Sequence, residues 1–318
     1  MITALAGGVG AARFLRGLAA VVDPAGVCAV VNTGDDEVFH GLHVSPDLDT
    51  VTYTLAGAVN PDTGWGLAGE TWAAMEALGR YGGQTWFRLG DRDLATHLYR
   101  TQRMAEGGLL SAVAAEVGMA WKVPTRLLPM SDDPVRTRLT LPGGEEVSFQ
   151  DYFVRQRHAV AVAGVRFAGA ESAAPGPGVL EAIASADPLV ICPSNPIVSI
   201  GPILAVASVR AAVSARRERA VAISPIVAGA AIRGPADRLM AELGHEPSVV
   251  GVARLYAPLA ATLVVDEADA GLAEAVEAEG MACLVAPTVM ATPARAAALA
   301  RLVVTAGAVP ASGSPTGP

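Results

Sequence analysis

Apolar residues open the chain as one short run, ITALA, which is broken by Gly7-Gly8-Val9-Gly10. Phe14, Leu15, Leu18 and Val22 then recur at near-helical spacing, and a second run, VCAVV, ends in the polar turn Asn32-Thr33-Gly34-Asp35-Asp36. Strand, glycine turn, helix and strand make the front half of a βαβ unit, and unbroken apolar runs suit a sheet buried on both faces. The rhythm returns after residue 157 with HAVAVAGVRFAGA, read as a strand, and a helix near Gly178 to Ser185. Strand LVICP, a helix from Pro202, strand AVAISPI and a helix around Pro235 to Leu243 follow, with TLVVDEAD and MACLVAP as later strands.

Between Ser45 and Arg157 the alternation loosens, and Val135 to Val154 reads as a hairpin through Pro142-Gly143-Gly144. The predicted fold is α/β: a Rossmann-like, mostly parallel sheet flanked by helices, with a largely helical insertion plus a β-hairpin. It is expected to be one domain over 1–305, with an inserted cap at about 58–157 and a disordered tail at 306–318.

Composition narrows the partners. Of 318 residues, 52% are hydrophobic and only 5% aromatic, which suits Ala-, Val- and Leu-rich helices packed on a sheet. A formal charge of -8 and a pI near 5.2 exclude an extended nucleic-acid surface, which needs a basic stripe. Cys28, Cys192 and Cys283 are odd in number and lack metal-ligand spacing, so reduced thiols are expected. Mean hydropathy is +0.40, and the uncharged run Pro188 to Val209 is long enough to span a bilayer. Its four prolines deny it a continuous helix, so no membrane segment is read there. A glycine loop also interrupts the apolar N-terminus, and the location expected is cytoplasmic.

Candidate chemistry gathers early in the chain. The bare N–H groups around Gly8 and Gly10 suit phosphate, and the acidic turns NTGDD and Pro46-Asp47-Leu48-Asp49-Thr50 suit a hard divalent cation. Gly8-x-Gly10 begins a dinucleotide fingerprint, but Arg13 stands where that pattern wants a small residue, which demotes a nicotinamide site. Arg13 in the first helical turn is placed to meet a phosphate oxygen instead. If SPDLDT is extended, Asp47 and Asp49 share one side of it. LGDRDLATH sets Asp91 and Asp93 at the mouth of a helix, as caps or as ligands, with Arg88 upstream as an anion ligand. His40 and His43 are read as site-edge or structural residues. Ser194, Asn195 and Ser224 follow buried strands and either cap helices or face a ligand.

GGVGAARF, NTGDD, SPDLDT, NPDTGWG, LGDRDLATH, LPMSDDPVRT, FQDYFVRQR, PSNPIVSIGPI and SPIVAG occur in the order found in one family. Together they resemble the 2-phospho-L-lactate transferases (CofD/FbiA) of coenzyme F-420 biosynthesis, over nearly the whole chain to about Thr305. The resemblance implies an Mg²⁺-dependent transfer of a phospholactyl or phosphoenolpyruvyl group from a guanosine-diphospho donor to the 5′-hydroxyl of the deazaflavin Fo, with GMP released. It also implies a homodimer. It places Asp49 beside the Fo hydroxyl and, with Asp35, on the metal, and makes Arg88 an acceptor-binding cation. Thr50 and Asp91 join the substrate site, while Gly8, Gly10, Arg13, Ser194, Asn195 and Ser224 fall to the donor. The alternative is a YvcK-like nucleotide-sugar-binding regulator, which shares DLDT, GDRD and SNP, whereas NPDTGWG and FQDYFVRQR favour the transferase. On the transferase reading, Asp49→Asn should nearly abolish transfer with the fold intact.

Overall fold

In a computed structural model, which describes residues 1–308, the strands are β1 (Ile2–Ala6), β2 (Val27–Val31), β3 (Glu37–Phe39), β4 (Leu42–Val44), β5 (Arg126–Pro129), β6 (Arg136–Thr140) and β7 (Glu146–Ser148). They continue as β8 (Gly164–Ala168), β9 (Leu189–Ile191), β10 (Ala220–Ile223), β11 (Ile226–Val227), β12 (Ala230–Ala231), β13 (Thr262–Val265) and β14 (Ala282–Val285). The first helices are α1 (Gly8–Ala19), α2 (Pro46–Leu55), α3 (Ala73–Arg80), α4 (Asp93–Ala105) and α5 (Leu110–Ala120).

Seven strands form one sheet in the order β14-β13-β10-β9-β1-β2-β5, and every neighbouring pair is parallel. The unbroken apolar runs have their expected cause. Leu5, Cys28, Val30, Leu189 and Ile191 enter the core on one face, while Ala4, Ala29, Val31 and Val190 enter the core on the other. On the second face Phe14, Leu15 and Leu18 of α1 pack with Leu299 and Val303 of the last helix, Pro293–Ala308. Burying the Phe14 ring alone contributes about 2–3 kcal/mol. The two helices cross at Gly17, where a Cβ would sit 2.5 Å from the Ala296 backbone.

Strand order decides where a ligand fits. The chain runs outward from β1 through β2 to β5, then returns to the other side of β1 with β9 and runs outward again to β14. The reversal opens a crevice between the carboxyl ends of β1 and β9, the place where open α/β sheets bind ligands. The glycine loop follows β1, and the Ser194-Asn195 turn follows β9.

Four expectations change. HAVAVAGVRFAGA does not return to the main sheet: β8 pairs antiparallel with β6, which also pairs with β7, giving a separate three-stranded sheet. The alternating burial of β6 marks a half-exposed strand. The stretch 58–157 is interrupted by β5, the edge strand of the main sheet, whose four residues are too short a run to stand out. SPDLDT is the first turn of α2, opened by Pro46, so it is helical rather than extended. The last helix reaches Ala308, past the boundary expected at 305; the remainder of the tail, 309–318, lies outside the described residues. The apolar run Pro188 to Val209 becomes β9, a turn and short helical pieces, of which Pro196–Ala205 and Ala207–Ala215 meet at 99°. No single helix among the described residues is long and apolar enough to cross a membrane.

Candidate active site at the switch point of the sheet

Gly8 carries a positive φ of 71°, which swings the first N–H of α1 out of the strand direction. That N–H donates to Asp47 Oδ1 at 2.8 Å, so an aspartate of the chain itself sits at the glycine loop. A Cβ on Gly10 would strike the Pro193 carbonyl, which requires glycine there and seats the loop against the end of β9. The Ser194 hydroxyl donates to the Gly7 carbonyl at 2.8 Å and receives the Gly7 N–H at 3.4 Å. The glycine loop and the Ser194 turn are therefore stitched together at the crevice, as their positions after parallel strands require.

The acidic residues divide into two clusters. In the first, Asn32 bridges the turns: its amide donates to Asp47 Oδ2 at 2.9 Å and its carbonyl oxygen receives the Gly34 N–H at 2.8 Å. Burial, then the neighbouring charge of Asp47, pushes the Asp35 carboxyl well above the usual carboxylate range. Burial likewise raises Asp47 to about 6, against the hydrogen bonds from Asn32 and Gly8. Asp36 Oδ2 accepts from Ser45 Oγ at 2.7 Å and lies 3.0 Å from His43 Nε2. Asp35 Oδ1, Asp36 Oδ1, Thr33 Oγ1 and Thr137 Oγ1 are buried without a hydrogen-bond partner.

The second cluster is built by α2 and α4. Asp47 and Asp49, two residues apart on a helix, point to different sides, and Asp49 meets Arg100. The Arg100 guanidinium grips both Asp49 oxygens, one of them at 3.1 Å, and is itself buried. Burial alone would lower Arg100, but the charge of Asp49 outweighs it and holds the guanidinium above its ordinary value. His97 lies between two acids, with Nδ1 3.7 Å from Asp49 Oδ2 and Nε2 3.2 Å from Asp93 Oδ2. The Tyr53 hydroxyl closes the group on Asp93 Oδ1 at 2.5 Å. Burial would raise Asp93, and the hydrogen bond and charge of His97 overcome it to hold Asp93 low. Asp49, Asp93 and His97 offer three ligand atoms within 4.8 Å of one another.

These clusters fit a metal differently. Magnesium prefers carboxylates and other oxygens, and the first cluster offers those, including four buried oxygens that nothing else satisfies. The second contributes an imidazole, and its Asp49 already has a cation in Arg100. Asp35 therefore suits a hard cation, while Asp49 belongs to the second candidate group. Asp35 is surrounded by Asp47, Asn32, Asp36 and Thr137, and Asp49 by Arg100, His97 and Asp93.

Other expected residues fall into place one by one. Arg13 is in the second turn of α1, not the first. Asn195 is a cap, its carbonyl oxygen accepting from Ile197 and Val198 N–H at 2.9 and 3.3 Å. The Ser224 hydroxyl is spent on its own turn, bonded to Ile226 O at 2.9 Å and to Ile226 N at 3.1 Å. Asp91 is half-buried and caps α3, accepting from Ala73 and Ala74 N–H at 2.9 Å each. The Arg88 guanidinium carbon stands 4.1 Å from the Trp72 ring centroid, Thr50 is buried in α2, and His40 turns the β3–β4 hairpin. Sequence reasoning missed Asn32, Tyr53, His97 and Arg100. The spacing Asp93, His97, Arg100 on one helical face was the available signal for the last two.

Comparison with known proteins gives consistent results. The family model described as 2-phospho-L-lactate transferase CofD matches residues 2–287. A phosphoenolpyruvate transferase of Kitasatospora aureofaciens is 47% identical over 306 residues, covering 94% of this chain and 95% of that one. Another phosphoenolpyruvate transferase, from Mycolicibacterium smegmatis, is 41% identical and covers 94% and 96%. Among solved structures, protein BH3568 of Bacillus halodurans superposes with a TM-score of 0.63 at 16% identity, covering 95% of this chain and 99% of that one. At that identity the likeness speaks for the fold alone.

Proposed function

The chain belongs to the 2-phospho-L-lactate transferase CofD family, and from that premise we propose that it is a magnesium-dependent transferase of coenzyme F-420 biosynthesis. It moves a phospholactyl or phosphoenolpyruvyl group from a guanosine-diphospho donor to the 5′-hydroxyl of Fo and releases GMP. The observation that carries the reading is the set of unsatisfied acidic and hydroxyl oxygens around Asp35, beside the start of α1 at the switch point. Asp35 holds the cation, with Asp36 and Asp47 beside it. When bound, the cation neutralises charge on the diphosphate.

The protein's own part is positioning and electrostatics. Gly8, Gly10 and Arg13 face the donor's phosphates, and Ser194, Asn195 and Ser224 shape its pocket by fixing the turns around it. Thr50, Arg88 and Asp91 belong to the acceptor side. Asp49 orients the acceptor hydroxyl: with Arg100 on both oxygens, the carboxylate keeps lone pairs free for one more donor. Arg100 and Asp93, through His97, hold that carboxylate in place. The active unit is a homodimer in the cytoplasm.

The test is direct. Purified protein is incubated with Fo, Mg²⁺ and each guanosine-diphospho donor in turn, and the Fo adduct and GMP are sought by mass spectrometry. Adduct and GMP in equal amounts, lost on chelation of Mg²⁺, are expected. A folded protein that yields neither with any donor overturns the assignment.

A further inference from the structure

NPDTGWG and FQDYFVRQR contribute little to the acidic clusters, yet the first reaches Arg233 and the second the glycine that follows it. The first forms a loop closed by the Gly64 N–H on Asn60 O at 2.9 Å and the Asn60 N–H on Gly66 O at 3.0 Å. Its tip lies on the start of α1: a Cβ added to Gly64 would be 2.8 Å from Val9 Cγ1, 3.2 Å from Arg233 Nη1 and 3.7 Å from Arg13 Nη2. Arg233 Nη1 fastens the tip by donating to Thr63 O at 2.5 Å. The next residue, Gly234, backs onto the ring of Phe153, 4.0 Å from where its Cβ would be.

Arg13 and Arg16 are three residues apart on α1 and share a face. None of Arg13, Arg16 and Arg233 is in an ion pair among the described residues, whereas Arg100, Arg103, Arg166 and Arg254 each hold a carboxylate. Burial, and then the charges of Arg233 and Arg16, push the Arg13 guanidinium down, and no acid offsets them. Arg16 Nε is buried and has no hydrogen-bond partner. Like charges gathered without a counter-charge work against the compact state. An anion removes that cost, and planar guanidinium forks match phosphate and carboxylate oxygens two at a time.

We propose that Arg13, Arg16 and Arg233 form a binding site for the oxyanions of a small molecule carrying two or more negative charges, assembled where the 60–66 loop meets α1. Arg16 and Arg233 are the new members of the site. It rests on the transferase reading only for the ligand's source, which is either the donor's diphosphate or the carboxylate of its three-carbon group.

The experiment uses the full chain and three probes, inorganic pyrophosphate, GDP and the complete enolpyruvyl-diphosphoguanosine donor, titrated calorimetrically at low and moderate salt. Arg16→Gln and Arg233→Gln are each expected to weaken binding about tenfold and to flatten its salt dependence. Arg16 makes no hydrogen bond to the loop, so its variant separates charge from loop anchoring, and Arg233→Lys should recover part of the loss. Equal penalties on GDP and donor assign the site to the diphosphate; a penalty on the donor alone assigns it to the carboxylate. Unchanged affinity for all three probes in both Gln variants overturns the proposal. Weakened pyrophosphate binding in a protein that makes no Fo adduct keeps the site and sinks the transferase reading, and unweakened binding with normal product does the reverse.

Discussion

Asp35 and Asp49 stand in neighbouring turns of one short sequence, yet their surroundings are opposites. The cluster of Asp35, Asp36 and Asp47 holds buried oxygens with no partner, and no Lys or Arg side chain bonds to its carboxylates among the described residues. The cluster of Asp49, Asp93 and His97 already contains its cation, because Arg100 comes in from α4, fifty-one residues further along the chain. One is built to receive positive charge and the other to be held still. Density of acids in a sequence therefore does not mark a cation site until the counter-charge has been located in the fold.

The largest effect that would break this contrast is Asp49→Asn. Transfer should fall to near zero, but the fold should suffer too, contrary to what the sequence alone suggests. Removing one partner of a buried ion pair strands the other, and leaving Arg100 unpaired costs about 3–5 kcal/mol. The double variant Asp49→Asn/Arg100→Met should regain stability without regaining activity. A denaturant titration in which the single variant unfolds like the parent would show that Arg100 does not need Asp49, and the two clusters would then be alike.

Titration separates Asp47 from Asp93, which shift in opposite directions, while Asp49, raised by burial, moves with Asp47. Asp47 has a folded value of about 6 against an ordinary value of 3.8, so the folded state holds its proton more tightly than the unfolded chain does. Its contribution to stability is therefore greatest below pH 4 and declines as the pH rises through 6, by about 3 kcal/mol in all. Asp93, held low by His97, contributes in the other direction: its stabilisation is present above the ordinary carboxylate range and is lost as the pH falls through its folded value. Asp47→Asn should reduce the fall in stability between pH 4 and 7, with Asp35, also raised by burial, supplying much of the rest, as measured by chemical unfolding without divalent cations. A parent protein whose stability rises steadily across that window would place Asp47 in a satisfied environment.

Sequence reading reached the fold further than it reached the site. Continuous apolar runs located β1, β2, β9, β10 and β13 because burial on both faces leaves no polar interruptions, and located β14 although that edge strand is only partly buried. It passed over β5, a four-residue strand that ends in Pro129, and misplaced β8, whose residues are half-buried or exposed and follow an Ala- and Val-rich lead-in. At the site, Gly8, Asp35 and Asp49 were visible as local motifs. Arg100 and His97 were not, because a positive residue in the middle of a helix reads as solvated surface until tertiary packing buries it. The misread geometry of Asp47 and Asp49 has a simpler origin: Pro46 at the first helical position, with acids behind it, signals a helix start as well as a turn.

The smallest expected effect concerns Asp36, which belongs partly to each kind of environment. Its Oδ2 is satisfied by Ser45 and His43, and its Oδ1 is buried and free. Ser45→Ala removes one hydrogen bond to a carboxylate in a fully buried place, at a cost of about 1–2 kcal/mol when no divalent cation is present. If Asp36 works with Asp35, the variant leaves more unsatisfied oxygen for a cation, and added Mg²⁺ should restore more stability to the variant than it adds to the parent. If Asp36 is held as Asp49 is, the loss should be the same with and without Mg²⁺. Thermal melts of both proteins across a magnesium titration separate the outcomes, and parallel curves would move Asp36 into the closed cluster, leaving Asp35 and Asp47 as the only carboxylates facing the cation.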